Sequence, residues 1–112
     1  MIEQLIKSGR LHPSMTFSQK VWALTSRIPA GKVATYGSIA KALRTRSYRA
    51  VGNAMNKNPY APVVPCHRVV GSDGSLTGYA GGLKKKHAML IAEGVTICKG
   101  KADLAKHGLE LC

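Results

Sequence analysis

The sequence predicts an α+β fold, mostly helical: a winged-helix-like helix-turn-helix domain with a short β-hairpin carrying a reactive cysteine. Three observations predict it. Apolar residues recur at helical spacing through 16–28, 38–57 and 83–93. Inside the middle stretch the short break Thr45-Arg46-Ser47 separates two helical segments, as in a helix-turn-helix. Finally, Val63-Val64-Pro65-Cys66-His67-Arg68-Val69-Val70 is strand-like and is followed by the turn residues Gly71-Ser72-Asp73-Gly74.

Taken in order, residues 1–15 contain Gly9 and Pro13, show little periodicity and read as a short helical or irregular arm. Thr16 is a fitting N-cap for a helix whose apolar face is Phe17, Val21, Leu24 and Ile28, ending before Pro29. Pro29 to Lys32 is a turn, and Val33 to Tyr36 a short strand. Ser38 caps the next helix, with Ile39, Ala40 and Leu43 inward. The second helix of the pair runs from about Tyr48 to Lys57, with Tyr48, Val51 and Met55 on one face and Arg49, Gly52, Asn53 and Asn56 on another. Strands are expected at Pro65–Val70 and, returning from the turn, Ser75–Thr77. After the permissive Gly78 to Gly82 loop, a helix with Leu83, His87, Leu90 and Ile91 on its apolar face ends at Glu93-Gly94, with Lys84, Lys85 and Lys86 as its solvated side. Residues 95–112 read as a C-terminal tail, with a final strand at Val95–Ile97 and at most a short helix near Ala102–Lys106.

The 112 residues, 45% apolar, predict a single domain able to bury roughly two-thirds of its unfolded surface. Charge is the compositional signal. Lys and Arg number 17 against 5 Asp and Glu, a net +12, and no acidic residue occurs from Gln4 to Ser72. Such a field suits a polyanionic partner, nucleic acid or an anionic membrane surface, with an inert basic surface as the plain alternative. No secretory leader and no run of about 18 apolar residues is present, so the chain is not expected to span a membrane. Cys66, Cys98 and Cys112 form an odd set without a Cys-x-x-Cys pair, which argues against a disulfide framework or zinc knuckle and for a reducing, cytoplasmic or nuclear location.

Cys66 directly followed by His67 and Arg68 places a soft nucleophile beside a base and a cation, opposite a glycine-rich loop. An extended strand would point Cys66 and His67 to opposite sides, so direct contact does not follow from adjacency. Gly52 inside a helix costs about 1 kcal/mol relative to Ala. Either an external backbone approaches there, or a neighbouring helix packs against it.

Pro65-Cys66-His67-Arg68-Val69-Val70, Arg49 to Met55, Asn58-Pro59, Tyr79-Ala80-Gly81-Gly82-Leu83 and Glu93-Gly94, in this order and spacing, resemble the O6-alkylguanine-DNA alkyltransferases. Most members of that family carry an extra N-terminal domain, here represented by the arm alone. The resemblance implies irreversible, single-turnover transfer of an alkyl group from O6-alkylguanine, and also O4-alkylthymine, to Cys66. It implies that Glu93 orients His67, that His67 deprotonates Cys66 through a water, that Tyr36 hydrogen-bonds the guanine, that Asn58 braces the active segment and that Arg68 is structural. Met55, Val69, Tyr79, Ala80 and Gly81 would line the substrate pocket together with Tyr36. Arg49 would fill the space left by the flipped base, while Ala50, Gly52, Asn53, Thr35 and Ser38 would meet duplex DNA in its minor groove. Many relatives have Ser at the position of Ala80. A monomer needing neither metal nor organic cofactor is implied. Alternatives are a lesion-binding module that signals to other repair factors and, more remotely, a cysteine-histidine hydrolase.

Overall fold

The computed structural model describes residues 2–61, 63–77 and 82–109. The elements run α1 (Ile2–Lys7), α2 (Phe17–Thr25), β1 (Ala34–Thr35), α3 (Tyr36–Ala42), α4 (Tyr48–Asn56), a 3-10 turn at Cys66–Arg68, β2 (Val69–Val70), α5 (Leu83–Ala92), β3 (Ile97–Cys98), β4 (Lys101–Ala102) and α6 (Leu104–His107). This is the helix-dominated α+β architecture expected, with α3 and α4 as the helix-turn-helix.

Local chemistry sets the helix starts. At α2, Thr16 Oγ1 accepts the Gln19 backbone N–H and Gln19 Oε1 accepts that of Thr16, a reciprocal capping box. Thr35 Oγ1 accepts from Ser38 N, so α3 begins at Tyr36, three residues earlier than a Ser38 cap would allow. Ser47 Oγ accepts from Ala50 N and starts α4. Trp22 of α2 donates its indole N–H to the Ala54 carbonyl at 2.7 Å, fixing α2 across α4.

The pair β1 and β2 is parallel, Ala34 opposite Val69 and Thr35 opposite Val70. Successive strand residues face opposite sides, so this pair partitions the interior. Ala34 and Val69 pack with Val21, Leu24, Ile39, Val51 and Met55. Val33 and Val70 pack with Leu90, Val95 and Ala102 on the other side.

Two expectations are corrected. The cysteine is not on a β-hairpin: Cys66 lies in the 3-10 turn, β2 pairs in parallel with β1, and Ser75 bridges to Lys101 instead of returning along β2. The hairpin that does form is β3 with β4, inside the stretch read as a tail. That stretch is integral to the fold. Val33 N donates to His107 O and Leu109 N to Val33 O. The buried His107 ring bonds Gly31 O through Nδ1 and accepts Thr96 N at Nε2. At Gly74, with φ of 90°, an added Cβ would collide with the Ala102 carbonyl, so only glycine lets the 71–75 turn lie against β4.

Candidate active site and nucleic-acid interface

The loop 58–65 delivers the cysteine. Asn58 Nδ2 donates to Val64 O and Asn58 Oδ1 accepts Tyr60 N, each at 2.9 Å, so one side chain pins both ends of the loop. The Tyr60 ring packs edge-on against Trp22, with the Lys7 ammonium 5.5 Å from its centre. In this way α1, read as an arm, buttresses the loop. Cys66 N then bonds Val64 O at 2.8 Å and Arg68 N bonds Pro65 O at 2.9 Å, closing the turn. A 3-10 turn has three residues per revolution, which sends Cys66, His67 and Arg68 in three directions.

His67 points inward and is 2% exposed. Its Nε2 lies 3.1 Å from Glu93 Oε2. With Nε2–H donating to the carboxylate, Nδ1 is the nitrogen able to accept a proton. Burial pushes the imidazole pKa below its usual 6.5, against the opposing pull of the Glu93 hydrogen bond, so the ring is a neutral base near pH 7. Arg68 grips the same carboxylate with two nitrogens, Nε at 2.9 Å and Nη2 at 2.5 Å, and places Nη1 on Ile28 O at 2.7 Å. The guanidinium, more than the imidazole, holds Glu93 below the usual carboxylate range. Glu93 caps the C-terminal end of α5, so that helix aims the carboxylate.

Lys86 is the group that sequence reasoning missed. The apolar face expected on α5 is displaced: His87 is exposed and Leu83 half-exposed, while Lys86 and Leu90 are fully buried. The lysine lies four residues before Leu90, the spacing that could have revealed it. Its ammonium donates to Val69 O at 2.6 Å and Thr77 O at 2.7 Å. Burial lowers its pKa to about 8, and negative charge on Cys66 pulls it part of the way back. Tyr36 donates its hydroxyl to the same Thr77 carbonyl at 3.2 Å, and its pKa is raised, first by burial and further by Cys66. Half-buried Cys66 therefore has a cation and a phenol within electrostatic reach, and packs against the cluster holding Met55 and Val69. Tyr79, Ala80 and Gly81 lie outside the described residues.

On α4, Arg49 and Asn53 are exposed and Ala50 and Gly52 half-buried, forming one accessible face. A Cβ at Gly52 would meet nothing within 4 Å, so no neighbouring helix requires this glycine. Tyr48, expected inward with Val51 and Met55, is instead 61% exposed. It occupies the first turn, where the core does not reach. Of the pair expected to face DNA, Thr35 is half-buried with its hydroxyl capping α3, and Ser38 is buried. Cys98 is exposed and free. No helix among the described residues is long and apolar enough to cross a membrane.

A helix-turn-helix beside a half-buried cysteine, a buried histidine and a half-buried glutamate has the outline of a nucleic-acid-binding domain that also holds a nucleophilic side chain. Residues 16–95 match the family model for the 6-O-methylguanine DNA methyltransferase DNA-binding domain, and the chain belongs to this family. A methylated-DNA–protein-cysteine methyltransferase of Methanosarcina mazei is 50% identical over 86 residues, covering 75% of this chain and 54% of the relative. The protein of that name from Shigella flexneri is 48% identical over 79 residues, covering 70% and 46%. The chain thus spans about half the length of these curated relatives. Among solved structures, Mycobacterium tuberculosis OGT in complex with DNA superposes with a TM-score of 0.68 at 39% identity, covering 82% of this chain and 63% of that one. Schizosaccharomyces pombe Atl1, in complex with damaged DNA containing O6-carboxymethylguanine, superposes with a TM-score of 0.73 at 33% identity, covering 84% and 94%.

Proposed function

We propose that this chain repairs DNA by taking the alkyl group of O6-alkylguanine onto Cys66, once per molecule. The observation that carries this reading is a half-buried thiol whose turn also presents a neutral histidine held by Glu93, with the Lys86 ammonium alongside. His67 accepts the thiol proton through a water at Nδ1, and Glu93 stabilises the imidazolium that forms. The thiolate attacks the alkyl carbon in line, so a C–S bond forms as the C–O bond breaks. The electron pair stays on the guanine, which takes up a proton from the side of Tyr36. The displacement is redox-neutral and balances without metal or organic cofactor. Its thioether product is not reversed by thiols, which makes the protein a reagent consumed in use.

A stacked base does not reach this thiol, so the nucleotide rotates out of the duplex at about a few kcal/mol. Arg49 fills the gap from the minor groove, where the small residues Ala50 and Gly52 admit the backbone. Tyr79, Ala80 and Gly81 complete the pocket, O4-alkylthymine is a second substrate, and the protein acts as a monomer in the cytoplasm or nucleus.

The test is intact and peptide mass spectrometry after mixing with duplex containing one O6-methylguanine, with Cys66→Ser as control. A gain of one methylene on the Cys66 peptide, saturating at one per protein, is expected. Binding without mass change would replace this reading with a lesion-recognition module.

A further inference from the structure

The largest exposure among the exposed large hydrophobic side chains described belongs to Tyr48, at 61%, on the first turn of α4. It is not a core residue that has slipped outward. Its ring stands over Gly37, where an added Cβ would lie 3.7 Å from Tyr48 Cε1, and forms a wall between two cavities. One, of about 330 Å³, is lined by Tyr36, Gly37, Tyr48 and Ser72. Cys66 is not among the described residues that line it. The other, of about 450 Å³, is lined by Gly37, Lys41, Arg44, Thr45, Arg46 and Tyr48.

The two cavities differ in chemistry and share a wall. The first offers aromatic surface, the second three cations. No carboxylate in the neighbouring sequence offsets those cations, since none occurs from Gln4 to Ser72 and Asp73 is already engaged by Ser75 and Lys101. An aromatic face beside an uncompensated cationic pocket matches the base and the phosphate of one nucleotide. A paired base inside a duplex has both π-faces covered by its neighbours. Aromatic side chains stack on bases that are unpaired, with little dependence on sequence.

We propose that Tyr48 is a stacking platform for an unpaired base of a DNA strand, with Lys41, Arg44 and Arg46 holding the adjoining phosphate; the inference rests on DNA being this chain's partner. The platform would grip a strand opened beside the lesion, next to the pocket that receives the alkylated guanine, with Tyr36 between the two.

The experiment titrates the protein into an undamaged single-stranded oligonucleotide carrying one 2-aminopurine, and in parallel into undamaged duplex. Parent and Tyr48→Phe are expected to quench the probe. Tyr48→Ala is expected to lose the quench and to bind the single strand about tenfold or more weakly, the range of one base–aromatic stack. Its loss on duplex should be smaller. Lys41→Ala combined with Arg46→Ala should flatten the salt dependence on the single strand, by about 0.7 in log–log slope for each phosphate no longer neutralised. Equal binding by Tyr48→Ala and parent overturns the platform, as does an equal loss on both DNA forms with a lowered melting temperature, which would mark Tyr48 as a support of α4. A parent that binds neither DNA overturns the DNA reading and the platform together. A parent that takes the methyl group from duplex but shows no quench overturns the platform alone.

Discussion

Tyr36 and Lys86 converge on one atom: the Thr77 carbonyl oxygen accepts the tyrosine hydroxyl at 3.2 Å and the lysine ammonium at 2.7 Å. The same lysine holds the Val69 carbonyl just after the cysteine turn. A single buried cation thus sets Tyr36 and the turn that carries Cys66 in register. Lys86→Met keeps the bulk but leaves two carbonyls without this donor. It should destabilise the fold by about 1–3 kcal/mol and slow transfer from a free O6-alkylguanine base about tenfold, measured by peptide mass at timed quench. Parent-like rates would remove Lys86 from the chemistry.

Glu93→Gln retains shape while removing the charge that both His67 and Arg68 use. Breaking a buried pair costs about 3–5 kcal/mol, and the partial exposure here, 17% for Arg68 and 19% for Glu93, places the effect at or below the lower end. Loss of an oriented base should slow transfer by about a hundredfold or more. A variant that is destabilised yet fully active would assign Glu93 to structure only.

Stability should depend on pH at both ends. His67 has a folded pKa below its unfolded 6.5, so as pH falls below 6.5 the unfolded chain takes up the proton first and stability declines toward the folded value. Glu93 acts in the same direction at lower pH: the stability it confers is present above 4.5 and lost as pH falls through its depressed folded value. Lys86 acts at the alkaline end, where a folded pKa of about 8 against 10.5 makes stability rise between those two values. Urea midpoints across this range check all three, and Lys86→Met should abolish the alkaline rise.

Gly52→Ala separates folding from binding. With open space around the new methyl group, the helix should gain about 1 kcal/mol. If a DNA backbone approaches there, duplex affinity should fall in the same variant. A stabler protein with undiminished duplex binding would contradict a close approach at this position.

Arg49→Ala tests base extrusion. Repair of alkylguanine in duplex should slow more than transfer from the free base, compared in parallel rate measurements. Equal losses would show that Arg49 does not occupy the vacated stack.

The helices and the reactive triplet were legible because both are local: capping residues, helical spacing and contiguous Cys66-His67-Arg68 lie in plain view. The conformation of the triplet was not. Val63, Val64, Val69 and Val70 read as strand; Val69 and Val70 do form β2, but Asn58 clamps Val64 and Tyr60, and Cys66–Arg68 between them fold into a 3-10 turn. Lys86 was hidden by its neighbours, since three consecutive lysines look solvated until two carbonyls from distant loops are brought to one of them. The role of the C-terminal segment depended on Val33, which meets His107 and Leu109 across most of the chain's length.

The turn that carries the cysteine has one residue for each direction it must serve. Cys66 faces the cleft, while His67 and Arg68 meet on the one carboxylate of Glu93. Adding or removing one residue between Pro65 and Val69 would rotate the residues that follow by about a third of a circle relative to those before, so that the sulfur and the imidazole could no longer both face the cleft and the carboxylate. This segment is therefore constrained in length as well as in composition, and a one-codon insertion there should be as damaging as loss of the thiol itself.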